Sequence, residues 1–184
     1  MSTIEVNSIQ PLSSGTTITL GASGKTLNIP SGCTISNSGT ASGFGGGKIN
    51  QVLAATNTTS TSSSSASFVE TVGTHSITPT ATDSKIFIVT HFGVKNPQHN
   101  QAYFTLYRDI SGGSATNLGD STYGLVGSKY AGGEAKEVYG MSFLDSPSTT
   151  SNVEYKIFVK SANTSTVKFN PDSKWSITLM EVLA

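Results

Sequence analysis

Apolar and polar residues alternate through most of this chain, and they do so on two scales. Between Gly15 and Gly47 (GTTITLGASGKTLNIPSGCTISNSGTASGFGGG) three short apolar pairs recur: Ile18 with Leu20, Leu27 with Ile29, and Cys33 with Ile35. One polar residue separates the members of each pair, and a glycine follows each, at Gly24, Gly32 and Gly39. A unit this short cannot bury its own apolar edge, so it must stack on neighbours or wrap with other copies of the chain. β-Branched residues in alternation favour strands. Pro30 removes a ladder donor directly after Ile29 and belongs at a strand end. The spacing predicts an interwoven or β-helical stem whose packing residues are Ile18, Leu20, Leu27, Ile29, Cys33 and Ile35. Hairpins folded onto the downstream domain are the alternative.

From Lys48 onward the alternation is longer and stronger. It predicts strands over Lys48–Ala54, Ser67–Val72, His75–Thr78, Lys85–Val94, Ala102–Asp109, Ser121–Tyr130, Glu134–Phe143, Val153–Lys160, Thr166–Asn170 and Trp175–Val182. In Lys85–Val94 (KIFIVTHFGV) one face carries Ile86, Ile88, Thr90, Phe92 and Val94, and the other carries Phe87, Val89 and His91. Apolar residues on both faces predict a central strand covered on each side, by a second sheet and by another subunit. Thr56–Ser67 (TNTTSTSSSSAS) reads as a polar loop too hydrophilic to pack. No helical apolar spacing persists beyond about two turns. This many short strands, with turns every 8–12 residues, predict a sandwich or jelly roll.

Composition divides the chain. Residues 1–67 hold three charged side chains (Glu5, Lys25, Lys48) and one aromatic, Phe44; the other fourteen aromatics lie between Phe68 and Trp175. Aromatic rings supply large buried areas, so the main core belongs to residues 68–184. Gly43-Phe-Gly-Gly-Gly47 marks the break, giving an N-terminal attachment segment and stem over 1–47 and a head over 48–184. Within the first segment, the weak alternation Ile4, Val6, Ile9 predicts a short strand that docks on a partner protein, with a frayed terminus as the equal alternative.

Charge and candidate chemistry narrow the function. Eleven basic side chains balance eleven acidic ones, and Arg108 is the only arginine, which argues against nucleic-acid binding. No stretch approaches the roughly 18 apolar residues of a membrane span, and the start lacks the pattern of a secretory signal. One cysteine precludes an internal disulfide. The sequence thus predicts a soluble protein made in a reducing cytoplasm, with no cofactor, metal or nucleic-acid partner and no membrane insertion. His75, His91 and His99 are scattered; His91 reads as a packed or hydrogen-bonded core residue, and His99 as exposed in a turn. Asp109, Asp120, Glu134, Glu137 and Asp145 read as solvated surface rather than a glycosidase pair, which is defined by spatial separation. Loops near Asn96–Gln101, Ser111–Gly119 and Tyr130–Gly133 mix Asn, Gln, Ser, Gly and Tyr. That mix suits a glycan or protein surface, but it is also ordinary loop chemistry.

The opening STIEVNSIQ, followed by TITLGASGKTLNIPSGCTISNSGTASGFG, resembles the N-terminal region common in tail-fibre and other virion structural proteins of marine and cyanobacterial tailed phages. Ser76-Ile-Thr-Pro79 through Lys85-Ile86, Ser142-Phe-Leu-Asp-Ser-Pro147, Val153-Glu-Tyr-Lys156 and Ser176-Ile-Thr-Leu-Met-Glu-Val182 resemble the jelly-roll head of the same group. The resemblance implies an all-β, homotrimeric fibre component of the virion, assembled in the host cytoplasm and without catalytic residues. Implied partners are other virion proteins of the tail, baseplate or capsid, and a host surface glycan or protein. The rival expectations are a head fibre or capsid decoration (cement) protein, and, less favoured, a glycan-cleaving tailspike-type enzyme.

Overall fold

The computed structural model describes residues 26, 31–32, 49–128 and 132–183. The chain divides into two units, Met1–Ser42 and Gly43–Ala184. Of the repeat, Thr26, Ser31 and Gly32 are described and exposed, with Ser31–Gly32 in a turn. The predicted packing residues Ile18, Leu20, Leu27, Ile29, Cys33 and Ile35 lie outside the described residues, as does the Gly43–Gly47 break.

The described part of the second unit is all β, with no helix. Its strands are β1 (Ile49–Asn57), β2 (Thr61–Ser63), β3 (Val69–Ile77), β4 (Lys85–Asn96), β5 (Ala102–Ile110), β6 (Thr116–Asn117), β7 (Val126–Gly127), β8 (Ala135–Asp145), β9 (Val153–Ser161), β10 (Val167–Phe169) and β11 (Trp175–Val182). They form two antiparallel sheets. In the first, the twelve-residue β4 is the spine. It pairs with β8 along one edge and with β11 and β10, end to end, along the other; β1 then adds to β11 and β2 to β10. The second sheet runs β3-β9-β5, and β6 and β7 share the far edge of β5.

Period-two alternation puts one face of each sheet inward. β4 contributes Ile86, Ile88, Phe92 and Val94, β9 contributes Val153, Tyr155, Ile157 and Val159, and β11 contributes Trp175, Ile177 and Leu179, all buried. Phe92 stands at the centre, its ring 4.9 Å from Phe104 of the opposite sheet and 5.0 Å from Phe169 of its own. The faces of β4 divide as predicted: Phe87, Val89 and His91 point away from the second sheet.

Local chemistry explains the departures from the predicted strands. The two segments Ser67–Val72 and His75–Thr78 are one strand, β3, carried through an irregularity in which residues 71–73 lie between partners Glu70↔Phe158 and Thr74↔Lys156. The Thr71 hydroxyl donates to the Ile157 carbonyl at 2.8 Å within it. Thr56–Ser67 does pack, contrary to expectation: Thr61, Ser62 and Ser63 pair with Phe169, Lys168 and Val167. Hydroxyl side chains are acceptable at a sheet edge, where one side of the ladder faces water. Of the predicted strand Ser121–Tyr130, residues 121–128 are described, and of these the two residues of β7 are strand. Ahead of it, Asp120 accepts bonds from the amides of Thr122 and Tyr123 at 2.8 and 2.7 Å and turns the chain. Gly124 closes that turn at φ +69°, where a Cβ would sit 2.4 Å from the Phe104 carbonyl oxygen.

Candidate interaction surfaces

The outward faces of the two sheets differ in chemistry. On the first sheet the register across β1, β11, β4 and β8 aligns three rows. The first is Val52–Met180–Phe87–Leu144, apolar from edge to edge. The second is Ala54–Thr178–Val89–Ser142, and the third is Thr56–Ser176–His91–Gly140. None of these positions carries an acid, a lysine or an arginine. Val52 is 54% exposed, Leu144 50% and Val89 37%, and beyond the rows Ile49 and Val138 reach 59% and 72%. Lysines stand at both ends, Lys85 opposite Val182 and Lys95 opposite Lys136. Near the second end, a shallow groove of about 240 Å³ lies between β8 and the Pro171–Ser173 turn. The Lys136–Asp172 ion pair, at 2.7 Å, lines it.

The outward face of the second sheet is charged. Its rows include Thr74–Lys156–Tyr107–Asn117 and Ser76–Glu154–Asp109. Lys156 Nζ lies 3.1 Å from Glu154, 3.6 Å from Glu70 and 3.7 Å from Asp109. The bond to Glu154 leads the causes that raise the Lys156 pKa above its ordinary value. Tyr107 and Phe158 stack beside this cluster with ring centroids 3.9 Å apart. Lys160 sits over the rings of Phe68 and Tyr103, at 5.0 and 5.4 Å.

Between the sheets lie two polar devices. Arg108 of β5 donates from Nη1 to both carboxylate oxygens of Asp145 on β8, at 2.9 and 3.1 Å, and the buried Tyr155 hydroxyl of β9 donates to the same carboxylate at 2.7 Å. Burial, then the bond to Asp145, pushes the Tyr155 pKa well up. At the other device Glu181 is fully buried. It accepts from Asn50 (2.9 Å), Gln51 (2.8 Å), the Thr80 amide (2.6 Å) and the Thr80 hydroxyl (2.9 Å). Burial alone would raise its pKa; the Asn50, Thr80 and Gln51 donors outweigh it and hold the carboxyl at about 2.

Several polar side chains of the predicted loops bond within the protein itself. Asn96 and Asn100 are buried and bonded to each other, to Ser128 and to Ser161. Asn117 accepts from the Thr105 hydroxyl and the Gly119 amide. Gln98 donates to the Gly132 carbonyl at 2.6 Å, and residues 129–131 lie outside the described residues. The acidic residues are also spoken for: Asp109 beside Lys156, Asp120 in its turn, Glu134 on Lys95, Glu137 on the Tyr139 hydroxyl, Asp145 on Arg108. Two of them depart from the solvated reading, since Asp109 and Asp145 are buried. His91 is a second correction. It is exposed on the outward face rather than in the core, and its Nδ1 lies 2.7 Å from the Ser176 hydroxyl. His99 is exposed in a turn, as read from the sequence. His75 is partly buried, which lowers its pKa. Among the described residues no three of His, Cys, Asp and Glu group as metal ligands.

No protein-family model and no curated protein matches the chain.

Sequence reasoning missed the apolar row Val52–Met180–Phe87–Leu144. Each member's parity along its own strand was readable, but the row exists only through inter-strand register, which one sequence does not print.

Proposed function

We propose that the protein is a homotrimeric, fibre-like structural component of a tailed-phage virion that takes part in host attachment. Residues 1–47 serve as the attachment segment and stem, and residues 48–184 form a jelly-roll head. The observation that carries this reading is the strand order. One sheet runs β1-β11-β4-β8 and the other β3-β9-β5 followed by β6 and β7. Two four-strand-wide sheets whose first and last strands are neighbours fit a double Greek key. The sequence resemblance of both segments supplies the virion context. Such a component works by binding rather than turnover: several copies on one particle raise avidity without strong single contacts.

Light scattering on the full chain is expected to give three times its 19.1 kDa mass; a monomer would sink the reading. In cryo-electron microscopy of the particle the protein should appear as a threefold projection from the tail. Density spread flat between capsid subunits would reassign it as a decoration protein.

A further inference from the structure

We infer that the outward face of the sheet β1-β11-β4-β8 is the contact surface of the head with other copies of this chain, packed around a common axis. The inference rests on the homo-oligomeric reading above and adds that the head, not only the stem, holds the copies together.

Three observations carry it. The first is the difference between the two outward faces. One holds an ionic cluster, Lys156 among Glu70, Asp109 and Glu154. The other has three rows without an acid, a lysine or an arginine, with lysines only at its ends. A centre depleted of charge with a charged rim is the pattern of a protein contact.

The second is extent. Strands about 4.8 Å apart and rows about 7 Å apart make the neutral face, with Ile49 and Val138, on the order of 500 Å². That lies at the upper end of patches left bare on single domains, roughly 300–600 Å². Alone it falls short of the roughly 800 Å² that each partner gives to a standard two-body interface. Shared between two neighbours around an axis, it gives each pair of copies roughly 500 Å² in total, a weak contact by itself that forms because the stem already holds the heads at high effective concentration.

The third is continuity. The apolar row reaches both edges of the sheet, Val52 on β1 and Leu144 on β8. Around an axis, the Val52 edge of one copy therefore meets the Leu144 edge of the next, and each copy covers part of both neighbours. A partner touching one side only would leave an edge of the row in water.

Two valines of equal exposure give the test. Val89 on this face and Val72 on the other sheet are each 37% exposed in the single chain. Val89→Cys and Val72→Cys are made separately in the full-length protein and treated with a maleimide, and labelling is followed peptide by peptide so that Cys33 is scored on its own. The mass of each variant is measured by light scattering on the same sample. The expected result is an oligomer in which Cys at 89 reacts at least about tenfold more slowly than Cys at 72, because a thiol inside a contact reacts only when the contact opens. Ala54→Cys, exposed on the same row, replaces Val89→Cys should that variant melt early. An oligomer with equal rates overturns the face and leaves the oligomeric reading standing. A monomer overturns both, whether its face is open or is covered by its own residues 1–48.

Discussion

Glu181 shows how one side chain ties distant parts of the sandwich together. Its carboxylate holds the start of β1 and Thr80, in the connection from β3 to β4, against the end of β11. Its pKa falls from 4.5 in the unfolded chain to about 2 in the fold. A depressed carboxyl contributes stability that is complete above pH 4.5 and is lost as the pH falls toward 2. The gap corresponds to roughly 3 kcal/mol. Urea midpoints should therefore drop between pH 4.5 and 2, and Glu181→Gln should remove that part of the slope. Gly73 makes a different demand. A Cβ there would lie 2.9 Å from Ile157 Cδ1 and 3.0 Å from Phe169 Cζ. Gly73→Ala should cost about 1–3 kcal/mol by overpacking, read as a lower denaturant midpoint at unchanged slope. The alternation of WSITLMEV already puts Glu181 on the face of Trp175, Ile177 and Leu179, so a buried carboxylate was legible. Its donors were not, because they lie more than 100 residues away.

At the scale of elements, the sheets are joined by more than apolar packing. Asp145 belongs to β8, while Arg108 and Tyr155 are opposed on β5 and β9. Removing one partner strands the other in a mostly dry site. Asp145→Ala should thus cost about 3–5 kcal/mol in thermal or urea unfolding, whereas the joint replacement Arg108→Met with Asp145→Leu should cost less than the single change. The long strands β4, β8, β9 and β11 were legible because period-two alternation over eight or more residues has no helical reading. β2 and β6 were not. They are three and two residues long and polar, and exist because β10 and β5 offer them an unpaired edge. The irregularity in β3 hid its unity, since residues 71–73 break the alternation that would have linked its halves.

At the scale of the molecule, the sandwich was legible from strand number and spacing, but the pairing order was not. Strand order depends on contacts between segments far apart in sequence, and periodicity is local. The candidate surface follows the same division: Val52, Phe87, Leu144 and Met180 are unremarkable in their own segments and form a row only when β1 meets β11. Among the described strands β1 pairs with β11 alone, and Val52 faces Met180 across that join. The opening strand of the sandwich thus has no sheet to enter until Trp175–Val182 have been synthesised. Closure of this sandwich waits on its last strand, and β1 remains an orphan strand until then. A product lacking β11 would leave the β1 edge open to pairing with other chains.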